Sequence, residues 1–281
     1  MAQNAVQTRY RKEQIAAFEK RQALTRATVT TEADIQANSA VFLVAGSGGA
    51  TAVSRGLNGE IPSRPDDLNQ YTATLKEWHD KPTRTRFNIY TSQGNGAAIM
   101  RDSSLAVINR QVDNDIREAL ALATATPIAM VQTDAKTFLA GIQEAIANLG
   151  EQEALDEEPF ALITPAFRAN LMALNQFSSV DYVNGKAFEN ISRSKAFNWN
   201  GVNWIVDSAA EGVTTASADC YMYNKNAVGH ACDINNISCT LGYDDEDDYS
   251  WARTSIFMGS KILQNSGIVT ITHDDTSFIA A

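Results

Sequence analysis

From Thr51 to about Gly96 the chain runs for about 45 residues with almost no helix signal. Pro62, Pro65 and Pro82 punctuate the stretch, and TRFNIYT (85–91) alternates apolar and polar side chains as a strand does. A segment this long and polar is out of place inside a compact domain, where its backbone groups would lack partners. It is therefore expected to leave the body as an extended β-ribbon that packs on a neighbouring molecule.

The flanks of this ribbon point to an α+β fold. Before it, AVFLVA (40–45) reads as a short strand broken by Gly46-Ser47-Gly48-Gly49. After it, DSSLAVINRQVDNDIREALALA (102–123) is the strongest helix pattern, with Asp102 or Ser103 as cap and Pro127 beyond its end. Leu105, Ile108, Val112, Ile116 and Leu120 fall at helical spacing, and Asp113 and Arg117 are expected to pair at i,i+4 on the solvent side. At ~1.5 Å per residue such a helix is about 33 Å long. A second helix is predicted over 135–149, opened by Asp134, stopped by Gly150, and presenting Leu139, Ile142, Ile146 and Leu149. FALI (160–163) reads as a strand, and Thr164-Pro165 as the N-cap and first position of a third helix. CYMYN (220–224) and GIVTITH (267–273) are further strands.

In KAFNWNGVNWIVDS (195–208), Asn200-Gly201 is the preferred pair for a two-residue type I′ turn. That turn sets Trp199 opposite Val202, Phe197 opposite Trp204, and Lys195 opposite Val206. Alternation then places Phe197, Trp199, Val202, Trp204 and Val206 on one face, which must be buried as core or serve as a stacking platform.

A length of 281 residues with 44% hydrophobic residues allows one large or two modest domains. No apolar run is long enough for a transmembrane helix, and MAQNAVQTRYRKEQ lacks the apolar stretch of a secretory signal. Cys220, Cys232 and Cys239 read as reduced thiols of a protein made in cytoplasm. Residues 1–26 carry six basic and two acidic side chains, a balance of +4, while the other 255 carry 17 basic and 31 acidic, a balance of −14. A basic arm on an acidic body suits docking onto like bodies or acidic partners. The arm offers Ala5, Tyr10, Ile15 and Phe18 as one face of a partial helix.

Catalytic chemistry is poorly supplied. His79, His230 and His273 are the only histidines, and neither a nucleophile elbow nor an H-E-x-x-H helix is present. AGSGGA (45–50) lacks the Gly-Lys-Ser/Thr ending of a phosphate loop and reads as a turn. Asp244, Asp245, Glu246, Asp247 and Asp248 are the one weak metal candidate, able to gather oxygens for a hard cation but lacking the glycine and distal glutamate of an EF-hand. No cofactor is expected.

The order of these elements resembles the major capsid protein of tailed bacteriophages. INRQVDNDIREALALA (108–123) is similar to that family's spine helix, with an Arg-x-x-Asp pattern at Arg110 and Asp113. FALITPAFRANLMALNQF (160–177) is similar to the strand-to-helix step of its axial domain, and KAFNWNGVNWIVDS to the hairpin that follows. The resemblance implies an N-terminal arm over 1–39 and a peripheral domain over 40–126. That domain would hold the extended loop (about 51–96) and the spine helix (about 102–123). A mixed α/β axial domain over 127–250 and a return to the peripheral domain over 251–281 complete the division.

The implied function is a structural subunit of an icosahedral shell, self-assembling into hexamers and pentamers around packaged double-stranded DNA. Assembly would take place in the host bacterial cytoplasm, with a separate scaffolding protein and a portal and no membrane. Arg9, Arg11 and Lys12 of the arm and Arg84 and Arg86 of the ribbon would be subunit contacts. An acidic wall would repel the DNA it encloses. Three other readings fit parts of the chain: an encapsulin-type nanocompartment shell, a metal-assisted hydrolase centred on residues 244–248, and a receptor-binding or tail component, for which more β-structure would be expected.

Overall fold

The computed structural model describes residues 23–279, except 32, 48, 56–58, 60, 62, 65–66, 86–95, 157, 179–195 and 234–237. Strand β1 (Asp34–Gln36) turns through Ala37, at a φ of 54°, into β2 (Ser39–Gly46). Strand β3 (Asp67–Thr74) pairs antiparallel with all of β2, from Ser39 opposite Thr74 to Gly46 opposite Asp67. The paired stem of the ribbon thus begins at Ser39, earlier than the sequence pattern suggests. Ala40, Phe42 and Ala73 face the body and are buried at its base. Two short strands follow, β4 (Lys76–Asp80) and β5 (Thr83–Thr85). Of the strand expected over 85–91, only Thr85 lies among the described residues.

Helix α1 (Gly96–Leu120) is 25 residues long, about 38 Å at ~1.5 Å per residue. It starts before the expected cap, because Ala97-Ala98-Ile99-Met100 offers no breaker and Ala and Met favour helix. Its buried stripe is Ala106, Val112, Ile116, Ala119 and Leu120, whereas Leu105 is 53% exposed. The expected solvent-side pair of Asp113 and Arg117 is not formed. Asp113 falls on the buried stripe and accepts from the backbone N–H groups of Leu24 (3.3 Å) and Thr25 (3.0 Å). Arg117 instead reaches Asp207, with Nε 3.4 Å from Oδ2. Charge spacing alone had suggested exposure; the helical phase puts position 113 beside 112 and 116, facing inward.

After β6 (Ile128–Ala129), helix α2 (Ala135–Glu151) is capped by Asp134, whose carboxylate accepts from Thr137 N–H. Strand β7 (Pro159–Ile163) leads through Thr164, the N-cap, into α3 (Pro165–Met172), and α4 (Asn175–Ser178) is a single turn. The tryptophan hairpin is β8 (Ala196–Trp199) and β9 (Val202–Val206), joined through Asn200 and Gly201 at φ 53° and 78°. Trp199 lies opposite Val202 and Phe197 opposite Trp204, as the turn requires, while Lys195 lies outside the described residues. Then come β10 (Ala218–Asn224), β11 (Val228–Cys232), β12 (Ser238–Asp244), the long β13 (Tyr249–Ile262) and β14 (Ile268–His273).

Six strands form one sheet in the order β6-β14-β10-β7-β9-β8, with parallel pairs at β6/β14 and β7/β9. Its strands bury both faces, and successive residues serve different cores. Ala161, Ile163, Trp204, Cys220, Met222, Val269 and Ile271 pack with Phe138, Ile142 and Leu149 of α2 and Phe167 and Leu171 of α3. Leu162, Ile205, Tyr221, Tyr223 and Ile268 pack with Val112, Ile116 and Leu120 of α1. This explains the continuous apolar run of FALI, which a one-sided sheet would not need.

In the second sheet β13 is central, flanked by β11 and β12 on one edge and by β4 and β5 on the other. Within residues 251–281, β13 joins the strands that follow the ribbon and β14 joins the six-stranded sheet. Likewise β11 and β12, from within 127–250, pair with β13.

Candidate assembly surfaces

The ribbon carries apolar side chains that its own subunit leaves uncovered. Leu43 (66% exposed) lies opposite Gln70, and Leu68 (56% exposed) opposite Ala45, so the two leucines are diagonal neighbours on one face. Val53 and Ile61, in the stretch that joins the two strands, are also exposed. The opposite face, with Phe42, is the buried one, so strand alternation separates a face for the body from a face for something else.

The far end of the second sheet gathers charge and aromatic surface. Arg84 on β5 lies opposite Ser250, at the same end as the turn joining β12 to β13. Lys81 places its ammonium 5.1 Å from the Trp251 ring and 5.9 Å from that of Tyr249. The Trp251 indole covers Gly242 directly across the pair, where a Cβ would come within 2.3 Å of it.

Asp244, Asp245, Glu246, Asp247 and Asp248 form the hairpin turn itself. The Asp244 carboxylate accepts from the N–H groups of Glu246 (3.1 Å) and Asp247 (3.4 Å), and Asp248, at φ 49°, receives the Tyr243 hydroxyl. The carboxylates are thus arranged around a turn, and among the described residues no three His, Cys, Asp or Glu side chains converge as a metal site. Arg9, Arg11, Lys12 and Arg86 lie outside the described residues, as do Ala5, Tyr10, Ile15 and Phe18.

The histidines serve structure. His79 sits on β4, with Nδ1 2.7 Å from Ser255 Oγ and Nε2 3.1 Å from Glu77. Buried His230 reaches Ser260 Oγ at 2.9 Å, and that hydroxyl donates to Asp115 of α1 at 2.6 Å, tying helix to sheet. His273 contacts Thr164 Oγ1 (3.0 Å), Asp275 (3.1 Å) and the Cys220 thiol (3.7 Å). Burial holds the His273 imidazole below the usual histidine range, despite the nearby carboxylate. Burial also pushes the Cys220 thiol far up, so this inaccessible Cys-His-Asp constellation has no thiolate to offer. Cys220 and Cys232 are free thiols. Sequence reasoning missed Asp113, Asp115 and Asp275 as polar fasteners; the available signal was acidic residues at apolar-stripe positions of α1.

The sequence profile of the phage capsid protein family matches residues 2–275. The chain belongs to that family. It is a structural, shell-forming component of a phage virion that assembles with copies of itself. That membership overturns the metal-assisted hydrolase reading and sets the nanocompartment and tail-component readings aside.

Solved structures share the fold of this capsid subunit. A chain of Mycobacterium phage Che8 is similar at a TM-score of 0.71 and 13% identity, over 92% of this chain and 94% of that one. The capsid of cyanophage P-SCSP1u gives 0.64 at 14% identity, over 92% and 90%. The capsid of a native GTA particle gives 0.64 at 11% identity, over 93% of both chains. No curated protein matches the sequence.

Proposed function

We propose that this capsid protein builds hexamers and pentamers of an icosahedral shell around double-stranded DNA, in the host bacterial cytoplasm, with a separate scaffolding protein and a portal. The observation that carries the reading is the ribbon, whose Leu43 and Leu68 face is apolar and uncovered within the subunit. Such a face is stabilised once a neighbour removes it from water. The neighbouring subunit is the natural cover, since every copy in a closed ring presents the same ribbon to the same side.

In this reading the sheet around β13, together with α1 and the ribbon, is the peripheral part, and the six-stranded sheet with α2 and α3 is the axial part. The chain passes between them near residue 127, again between β10 and β11, and a third time between β13 and β14. Arg9, Arg11 and Lys12 dock the arm onto acidic surface of the next subunit, and Arg84, at the far end of the β13 sheet, serves a second contact together with Arg86. The acidic body keeps packaged DNA from adhering to the wall.

Negative-stain microscopy with light scattering tests this. Closed shells or rings of five and six subunits are expected from the parent protein, and charge reversal of Arg9, Arg11 and Lys12 together should impair assembly while the subunit stays folded. A protein that stays monomeric at high concentration with scaffold present refutes the shell reading. Normal shells from the triple variant refute the docking role of the arm.

A further inference from the structure

The chain between Ala23 and Thr30 is a strap fastened to three separate parts of the molecule. Its first fastening is to α1, where Asp113, fully buried, accepts from Leu24 N–H, Thr25 N–H and the Thr25 hydroxyl, the last at 2.6 Å. The second is to the six-stranded sheet, where Thr28 Oγ1 lies 2.6 Å from the Tyr223 hydroxyl. Because Thr28 donates its own proton to the Thr25 carbonyl at 2.7 Å, the Tyr223 hydroxyl is the donor in that contact. The third is to β11, where Thr30 N–H donates to the Val228 carbonyl and His230 N–H donates to the Thr30 carbonyl. Val29, between these fastenings, is buried in the core under α1.

The three fastenings differ in kind. The last two are neutral contacts that continue a sheet or satisfy a hydroxyl. The first places a carboxylate in the core with strap donors aimed at it, and hydrogen bonds to a charged group are about twice as strong as neutral ones. It is also the fastening nearest the basic arm.

We propose that Asp113 is the positioning residue of the N-terminal arm: by holding Leu24 and Thr25 it fixes the point on α1 from which the arm starts. This rests on the reading that the arm makes subunit contacts. If the Asp113 fastening opens while the Thr28 and Thr30 fastenings hold, the arm's root moves from residue 24 to residue 28. Four more residues at ~3.3 Å each give the arm about 13 Å of extra reach. An arm with that much slack can meet more than one neighbour, so the pin favours one set of contacts and one shell geometry.

The test uses the full chain with its scaffold. Thr25→Val removes the 2.6 Å hydroxyl contact without touching α1, Thr25→Ser restores it, and Asp113→Asn perturbs the acceptor itself. Trypsin cleavage after Arg26, inside the strap, reads its opening, while cleavage after Lys136, inside α2, reads global unfolding. Thr25→Val and Asp113→Asn should speed cleavage after Arg26 on the order of tenfold or more, the effect of losing a hydrogen bond to a charged group. Cleavage after Lys136 should hold steady, shells should vary in size or fall in yield, and Thr25→Ser should behave as the parent.

Unchanged cleavage after Arg26 in Thr25→Val overturns the pin, and this variant decides alone if Asp113→Asn does not fold. Faster cleavage with shells of normal size and yield overturns the positioning role. Deletion of residues 1–22 with normal shells overturns instead the reading that the arm makes subunit contacts.

Discussion

Replacing Trp204 by alanine tests whether the tryptophan hairpin is core. The indole is fully buried, lies parallel to Phe197 at 6.2 Å between centroids, stacks on Phe167 at the same separation, and donates Nε1–H to the Trp199 carbonyl at 3.0 Å. An indole burying about 200 Å² is worth about 5 kcal/mol at ~25 cal/mol per Å². Replacing buried tryptophan with alanine costs about 3–5 kcal/mol, because the surroundings close only part of the cavity. The Trp199 carbonyl also loses its donor, adding about 1 kcal/mol.

A loss of about 4 kcal/mol or more is therefore expected, a large share of the ~5–15 kcal/mol that holds a domain together. Trp251→Ala is the control: that indole lies at the end of β12 and β13, partly exposed over Gly242, and its loss should cost about 1 kcal/mol. Urea unfolding of dissociated subunits, followed by far-ultraviolet circular dichroism, measures both. The reasoning is refuted if Trp204→Ala stays within about 1 kcal/mol of the parent, or if Trp251→Ala proves the costlier change.

Acid should loosen the cluster under α3. His273 is held below its usual value by burial, so the unfolded chain takes up a proton first, and stability falls as pH drops below about 6.5. Burial alone would raise Asp275, but bonds from Thr164, Thr214 and His273 outweigh it and hold it low, so its stabilisation is lost at still lower pH. Urea midpoints that do not change from about pH 7.5 to 5 would contradict this. Gly212→Ala should cost more than the ~1 kcal/mol expected of Gly201→Ala, since both have positive φ but only at 212 would a Cβ meet backbone, 2.2 Å from the Ser217 carbonyl. Equal thermal shifts would contradict that account. Leu43→Asp with Leu68→Asp should abolish shells while changing subunit stability by about 0.5 kcal/mol or less, as exposed sites do. Intact shells from that double variant would show the ribbon's apolar face to be uninvolved.

Much of the fold is legible where a local rule has no rival. Asn200-Gly201 sets the register of β8 and β9 residue by residue, and Asp134 and Thr164 cap the helices they were expected to cap. The start of α1 is not legible, because Asp102 and Ser103 look like caps yet sit inside a helix that residues 96–100 can already form. The inward turn of Asp113 is hidden for a related reason: strap partners that make its burial tolerable lie 88 and 89 residues away. The sheet to which β11, β12 and β14 each belong is a choice among distant partners that strand patterns do not encode. The candidate assembly surface is half legible. A polar, helix-poor stretch announces a ribbon, but which of its faces is bare depends on the register of β2 against β3.

The six-stranded sheet has consequences beyond its own stability. Helices α2 and α3 fill one of its faces and α1 the other, so neither is free to stack on a second copy. Among the described residues, what the sheets leave unpaired lies at the rim: strand edges, sheet ends and the ribbon. Tiles that can join only at their rims spread sideways and do not pile up. A wall made from them is one molecule thick, and its curvature is decided at the joints while the tiles keep their shape.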